Sequence, residues 1–222
     1  MHSSHRLAAI AWLPLAFLPT AAAAEGASFN ASVGTPGIGI ALSTPLSPTF
    51  SARFGLNAFN HDVRVSQSGI DYQADLKLRS GLILLDWYPA GSGFRVSGGL
   101  VFNENYLDAR GVARDGSFSI GGVSYPAAQV GELSGEVRFR SLAPYVGFGY
   151  SKGFGRDGRW GVTFDAGVIV QGKPEVSLTA RGPAADDPAF QQSLAQEERD
   201  LEDDLDSFRY FPVLSLGVRY GF

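Results

Sequence analysis

The last nine residues of the chain, 214–222, read LSLGVRYGF and alternate between two kinds of side chain. The apolar set comprises Leu214, Leu216, Val218, Tyr220 and Phe222. The residues between them are small or charged. A period of two predicts an extended strand with one apolar face and one small or polar face. A strand in a soluble β-sandwich alternates in the same way. The rest of the chain is therefore needed to distinguish a soluble sheet from one that lies in a membrane.

Similar segments recur along the chain and divide it into eight predicted strands. Their ranges are 28–34, 37–46, 49–65, 70–88, 93–110, 135–151, 158–180 and 207–222. Short connections alternate with longer ones at 66–69, 111–134 and 181–206. Bacterial membrane barrels have an even number of strands, short turns at one end and long loops at the other. The order of the segments therefore predicts an all-β fold, an eight-stranded antiparallel transmembrane β-barrel.

The composition agrees with a barrel. The chain has 28 Gly, no Cys and 18% charged residues, and a charged fraction of about a quarter is usual. Its mean hydropathy is +0.01, as expected when lipid-facing and lumen-facing residues alternate and cancel. Beyond the first 24 residues no run of roughly 18 apolar residues predicts a spanning helix. The formal net charge of −4 argues against a nucleic-acid partner.

The first 24 residues have the layout of a cleaved secretory signal peptide. Arg6 is basic, residues 7–18 are mostly apolar, and three alanines precede Glu25. The apolar stretch is shorter than the roughly 20 residues that a spanning helix needs. We therefore predict a signal peptide over 1–24, export through the inner membrane, and a single barrel domain over 25–222.

The C-terminal strand carries a resemblance to a known class of proteins. Alternating apolar residues that end in a phenylalanine resemble the C-terminal signature of bacterial outer-membrane β-barrels, which the barrel-assembly machinery recognises. The matching residues are Leu214, Leu216, Val218, Tyr220 and Phe222. In size the predicted domain is similar to the OmpA membrane domain and to OmpW-like proteins. The resemblance implies a porin-like protein of the cell outer membrane, surrounded by outer-membrane lipid and lipopolysaccharide. It transfers no binding residues, because no functional motif is shared.

Two positions break the simple alternation of apolar and polar residues. Residues 82–85 are apolar on both faces, and a bulge near Ser80-Gly81 would switch the phase and turn Asp86 inward. Pro144 cannot donate to a ladder and needs a bulge or an edge.

With that phase, ten charged residues are predicted to point into the lumen. They are Arg53, Lys77, Arg79, Asp86, Arg95, Glu136, Arg138, Arg140, Asp165 and Arg219. The interior of an eight-stranded barrel is just wide enough for side chains to fill. Opposite charges there are expected to pair and form a polar plug, because unpaired buried charges are costly. The alternative is a narrow, ion-selective path.

The last long connection, 181–206, predicts one short helix. Asp187 can cap it, Pro188 suits its first turn, and no helix breaker follows. Phe190, Leu194 and further leucines form a broken apolar stripe that we expect to pack on the barrel rim. The acidic residues lack the turn glycine and the spacing of a calcium loop, so no metal or cofactor is predicted.

Enzymatic function is not predicted. Some small outer-membrane barrels act on lipid A acyl chains with a His, a Ser and an acidic group. His61, beside Asp62, is the only histidine after the predicted cleavage site, and no motif supplies the converging groups that catalysis requires. The leading prediction is a structural or surface-interaction role through loops 111–134 and 181–206, with an external partner that the sequence does not identify. The alternative is a narrow channel or conduit for small molecules, hydrophobic ones included.

Overall fold

A computed structural model of the chain describes residues 26–67, 70–89, 93–113, 116–155 and 157–222. The predicted signal peptide, 1–24, lies outside the described residues.

The described residues form thirteen strands and two helices. In chain order the strands are β1 Ser28–Gly34, β2 Gly37–Pro45, β3 Phe50–Gln67, β4 Ile70–Trp87, β5 Phe94–Asn103, β6 Tyr106–Ala113, β7 Ser117–Ile120, β8 Val123–Pro126, β9 Glu132–Arg138, β10 Leu142–Phe154, β11 Trp160–Val170, β12 Glu175–Ala180 and β13 Tyr210–Gly221. The helices are α1 Ala127–Val130 and α2 Pro188–Asp204, and a 3₁₀ turn spans Asp206–Arg209. No helix of the described residues is long and apolar enough to cross a membrane.

Eight of the strands close into a barrel. Going around the ring, the order is β1, β2, β3, β4, β5, β10, β11 and β13, and β13 pairs with β1. All neighbours are antiparallel. Closure leaves no unpaired edge around the ring, as hydrocarbon requires of a spanning sheet. The predicted eight-stranded antiparallel barrel is confirmed.

The outside of the ring is an apolar belt. Its exposed side chains include Phe29, Ile40, Phe54, Leu85, Trp87, Phe94, Leu100, Phe148, Trp160, Phe164, Leu216 and Phe222. Aromatic rings cluster at the end of the barrel with the short turns. There the ring centroids of Trp160 and Tyr220 are 5.0 Å apart, and those of Tyr220 and Phe222 are 5.5 Å apart. A belt of exposed apolar residues with an aromatic girdle is typical of a lipid-facing barrel.

The ladder between β3 and β4 contains no bulge. Its register runs unbroken from Phe50 opposite Trp87 to Gln67 opposite Ile70, so the predicted phase switch at Ser80-Gly81 is wrong. Leu82, Leu84 and Asp86 share the inner face because every second residue of a regular strand points the same way. Residues 82–85 are apolar on both faces because the inner leucines line a cavity in the lumen.

Pro144 occupies an edge position. It pairs with Leu100 of β5, whereas the ladder between β10 and β11 begins one residue later, at Tyr145 opposite Ile169. At Pro144, β10 therefore has a partner strand on one side only, where a missing N–H is tolerated.

Three predicted strands, 93–110, 135–151 and 158–180, are interrupted at the outer mouth of the barrel. Beyond the interruptions β6 pairs with the upper half of β4, β9 pairs with β6, and β12 pairs with β9. Hydrogen bonds of buried amide side chains connect the chain segments at these interruptions. Asn103 donates through Nδ2 to Gln171 Oε1 at 3.0 Å, and Gln171 donates through Nε2 to the Phe208 carbonyl at 2.9 Å. One wall of the barrel thus continues above its mouth as an outer sheet.

A small outer domain is built on this sheet. It comprises β6 to β9, β12, α1 and α2 and has its own buried core of Phe118, Ile120, Ala127, Val130, Ala180, Phe190 and Leu194. The predicted helix in the last external loop is confirmed, since Asp187 Oδ1 accepts from the backbone N–H of Ala189 at 2.7 Å. The helix packs on β12 and β7 of this domain and not on the barrel rim, because its apolar stripe meets the core residues of the outer sheet.

Candidate functional site

Four charged side chains form one buried network inside the barrel. Arg53 donates through Nη1 to Asp165 Oδ1 and through Nη2 to Asp86 Oδ1, each at 2.9 Å. Arg95 donates through Nη2 to the same Asp165 oxygen at 2.6 Å. All four residues are at most 7% exposed. Two arginines and two aspartates make the network electrically neutral, as burial requires.

The network crosses the lumen from wall to wall. Arg53 lies on β3 and Asp165 on β11, which are four places apart in the ring of eight strands and therefore opposite each other. Hydroxyl groups fill the remaining positions: Ser97 donates to Asp86 at 2.5 Å, and Thr163 accepts from Arg95 at 3.0 Å. This layer of side chains spans the lumen at its own level.

Glycines on β10 and β11 make room for large side chains that lie beside them in the lumen. A Cβ atom on Gly149 would lie 2.7 Å from Cζ of Arg95, and one on Gly147 or Gly167 would lie 2.4 or 2.5 Å from the hydroxyl of Tyr145. Such distances are well inside van der Waals contact. Arg95 and Tyr145 therefore lie flat against β10 and β11 because those strands carry glycine at the points of contact.

Cavities lie above and below the network. The upper one, with a solvent-accessible volume of about 60 Å³, has a wall of aliphatic and aromatic side chains on one side and hydroxyl and amide groups on the other. Its apolar wall consists of Leu82, Leu84, Val101, Tyr145, Ile169 and Val213. The lower one, with a solvent-accessible volume of about 20 Å³, is bordered by Tyr88, Arg95 and Arg219. Asn30 and Arg53 border both cavities, so they mark the constriction between them.

Several buried polar atoms at this constriction have no protein partner among the described residues. They are Asn30 Oδ1 and the Nε atoms of Arg53, Arg95 and Arg219. An unpaired buried donor or acceptor costs free energy unless water or a ligand satisfies it. The lumen therefore has hydrogen-bonding capacity that the protein itself does not use.

The structure brings four of the ten predicted lumen charges together and places a fifth, Arg219, beside the lower cavity. The others lie beyond the barrel on the outer sheet and its borders: Lys77, Arg79, Glu136, Arg138 and Arg140. Arg79, Arg138 and Arg140 are exposed there. For Lys77 and Arg79 the reason is the missing bulge, because the regular ladder keeps them on the same outer face as the lipid-exposed Ile83 and Leu85. For Glu136, Arg138 and Arg140 the reason is the interruption of the predicted strand 135–151, since they lie on or just after β9 and precede the barrel strand β10.

His61 and Asp62 do not form a catalytic pair. They are neighbours on β3 and so point to opposite faces of the strand. The His61 ring stacks on Phe59 with a centroid distance of 6.1 Å. In the part of the chain that the structure describes, no group of three or more His, Cys, Asp or Glu is arranged to hold a metal ion.

Sequence reasoning missed the apolar wall of the upper cavity and the amide layer at the barrel mouth. Asn103, Asn105 and Gln171 are 3%, 8% and 1% exposed, although such residues are usually found at the surface. Asn103 and Asn105 flank Glu104 within a predicted strand, and three polar residues in succession were a signal that the strand is interrupted there.

No protein-family model matches the chain, and no curated protein sequence matches it. Among solved structures, the chain is similar to CarO2 of Acinetobacter baumannii, with a TM-score of 0.61 and 24% identity over 89% of this chain and 99% of that one. It is also similar to CarO of Acinetobacter baumannii, with a TM-score of 0.58 and 25% identity over 89% of this chain and 97% of that one. Together with the lipid-facing belt, these similarities identify a porin-like outer-membrane β-barrel.

Proposed function

We propose that this outer-membrane barrel is closed to solutes and acts at the cell surface, where its outer domain binds an external partner. The observation that carries the proposal is the hydrogen bond of 2.9 Å between Arg53 and Asp165, which joins opposite walls of the lumen. A barrel blocked at this level needs another site of action, and the outer domain is the largest structure that it presents to the outside.

The outer domain has the properties of a binding module. Its core is separate from that of the barrel, so the loops are held in one shape. Gly121 and Gly122 have φ values of +57° and +76° and form the tight turn between β7 and β8. Beside this turn, Val123 is 47% exposed. An ordered surface loses less conformational entropy on binding than a disordered loop does.

The test compares cells that display the full chain with cells that display a variant in which 116–131 is replaced by a short Gly-Ser link. Both are assayed for binding to glycans, to envelope proteins and to other cells. Heat-modifiable gel migration serves as the control that the barrel is intact in both. The proposal requires that binding is present with the full chain and lost in the variant. Equal binding by both cell types refutes it.

A conduit for small molecules is the second candidate function. Two cavities approach each other from the two ends of the lumen, and only the layer around Arg53 and Asn30 separates them. The apolar wall of the upper cavity suits small, partly hydrophobic solutes. Planar-bilayer recordings of refolded protein separate the two functions, since a stable open state of the unaltered chain favours the conduit and excludes the closed barrel.

We further propose that the C-terminal strand is the signal read by the barrel-assembly machinery. It closes the ring by pairing with both β1 and β11, and its lipid-facing residues include Leu214, Leu216 and Phe222. Replacing Phe222 by alanine should lower the amount of folded barrel in outer-membrane fractions. The control is Ser215→Ala, on the inner face of the same strand. Equal amounts of Phe222→Ala and unaltered protein exclude this role.

A further inference from the structure

Four cations predicted for the lumen lie outside the barrel, just above its apolar belt. We call Lys77, Arg79, Arg138 and Arg140 the interface cations. Lys77 lies directly opposite Tyr106, and Tyr106 lies directly opposite Arg138, so the three form one row across β4, β6 and β9. Arg79 and Arg140 lie two residues closer to the barrel along the same two lines of chain, and the exposed Glu104 lies on the line between them. Neighbouring strands are about 4.8 Å apart, so the four side chains share a small area.

The height of the interface cations relative to the membrane follows from the register. Two residues below Arg79 and Arg140 the same lines carry Gly81 and Leu142, which both pair with Phe102. Phe102 and Leu142 are 51% and 44% exposed and belong to the lipid-facing belt. Two residues span about 7 Å along the strand, which is about 5 Å along the membrane normal for strands tilted by about 40°. The interface cations therefore begin at the level where the acyl chains of the outer leaflet end and its headgroups start.

The basic strip is narrow. In the next row above it, Asp75 lies opposite Asp108, and Asp108 lies opposite Glu136. Like charges directly opposite each other on neighbouring strands are unfavourable. This acidic row separates the interface cations from Arg64 and Arg110, which lie in the row above it. The two rows beside the membrane carry four cations and one carboxylate, Glu104, and this excess of positive charge matches negative charge in the headgroup layer.

Two of the interface cations are free to bind an anion. Arg138 pairs with Glu136, and Lys77 lies over the Tyr106 ring with Nζ 5.2 Å from its centroid. Arg79 and Arg140 are exposed and form no ion pair with another described residue. A guanidinium group binds phosphate through two parallel hydrogen bonds, and the exposed Phe102 directly below supplies an apolar contact for a lipid chain.

We propose that the interface cations, above all Arg79 and Arg140, bind the phosphate groups of lipopolysaccharide in the outer leaflet. The apolar belt below them contacts the acyl chains of the same molecule, so that headgroup and chains are recognised together. This site is independent of the partner of the outer domain and of the state of the lumen.

The test measures the binding of lipid A to the full chain in detergent by native mass spectrometry. The variant is Arg79→Gln/Arg140→Gln. The matched control is Arg64→Gln/Arg110→Gln, which removes the same charge from the same outer face, three rows and about 20 Å farther along the strands from the barrel. Heat-modifiable migration shows that each barrel is folded. We expect the variant to bind lipid A about tenfold more weakly or worse, and the control to remain within about twofold of the unaltered chain.

Two further ligands identify the chemistry that is recognised. Lipid A from which the phosphates have been removed should bind the unaltered chain as weakly as intact lipid A binds the variant. Inorganic phosphate at millimolar concentration should leave lipid A bound. The proposal is overturned if the variant keeps its affinity, if the control loses as much, if removing the phosphates has no effect, or if inorganic phosphate displaces the lipid.

Discussion

Replacing Asp165 by alanine should both destabilise the barrel and change the charge of its lumen. Asp165 accepts hydrogen bonds from Arg53 at 2.9 Å and from Arg95 at 2.6 Å, and it is 6% exposed. Removing one partner of a buried ion pair costs about 3–5 kcal/mol, because the remaining charge is left uncompensated. The neutral network of two arginines and two aspartates becomes a network with one excess positive charge.

The cost should shrink when the opposite cation is removed as well. Arg53→Ala alone leaves Asp86 without its ion pair and Asp165 with Arg95 only. The double variant Arg53→Ala/Asp165→Ala keeps one aspartate and one arginine and is again neutral. We therefore expect it to be destabilised by about 1–3 kcal/mol less than the sum of the two single variants, the range measured for residues in one ionic network.

Urea unfolding of the barrel in lipid vesicles, followed by tryptophan fluorescence, measures these free energies. Trp87 and Trp160 are 45% and 51% exposed on the lipid-facing side, so their emission reports the loss of the bilayer environment. The matched control is Asp157→Ala, which removes an aspartate from an exposed turn and should change stability little. If the losses in the free energy of unfolding for Arg53→Ala and Asp165→Ala were strictly additive, the reasoning that both residues belong to one ionic network would be refuted.

Three further predictions concern the outer domain and the glycines of β10 and β11 that lie against Tyr145 and Arg95. Glu198→Ala should speed hydrogen exchange at the amide of Leu178, because that backbone N–H donates to the Glu198 carboxylate at 2.7 Å; an unchanged rate would contradict the contact. Leu194→Ala should destabilise the outer domain by about 2–5 kcal/mol, which is measured by faster proteolysis on intact cells with unchanged heat-modifiable migration of the barrel. Gly167→Ala should cost about 1–3 kcal/mol in urea unfolding, because the added Cβ would meet the Tyr145 hydroxyl at 2.5 Å, and an unaffected midpoint would mean that this contact is absent.

The fold of the barrel followed from the sequence because its governing constraint is local. In a barrel wall, each residue faces either lipid or lumen, and the next residue faces the other side. Segments such as 214–222 therefore carry the complete pattern within a few residues. The same reasoning located α2, since a capping aspartate at 187 followed by proline is a local signal as well.

The alternation of lipid-facing and lumen-facing residues did not predict which side chains of β4 point into the lumen. The rule that a barrel interior is polar held at Asp86, which joins the ionic network, but failed at Leu82 and Leu84, which line the apolar wall of the upper cavity. Keeping the interior polar required a bulge, and that bulge turned Lys77 and Arg79 to the wrong side. Only the register with β3 shows that the strand is regular.

The outer domain was missed for a different reason. Its β7–β8 hairpin, Ser117–Pro126, has a sequence signal in the pair Gly121-Gly122 between alternating residues. The core that this hairpin joins contains Ala180, Phe190 and Leu194, which come from segments more than fifty residues away. Packing between distant segments leaves no periodic trace in either of them, so the two connections were taken as loops.

The hydrogen bonds between the outer domain and the barrel limit the ways in which the lumen could open. The outer domain is tied to the barrel mouth by buried amide contacts, since Gln171 binds both the Asn103 side chain and the Phe208 carbonyl, and Asn105 Oδ1 accepts from the backbone N–H of Arg79 at 3.0 Å. Moving the outer domain as a unit would break these bonds in a place that water does not reach. It would still leave the layer around Arg53 in position, because that layer is held by β3, β4, β5 and β11 within the barrel. We therefore expect passage through the lumen to depend on the ionic network and not on the outer domain, because a solute that crosses would have to replace the carboxylate contacts of Arg53 with its own.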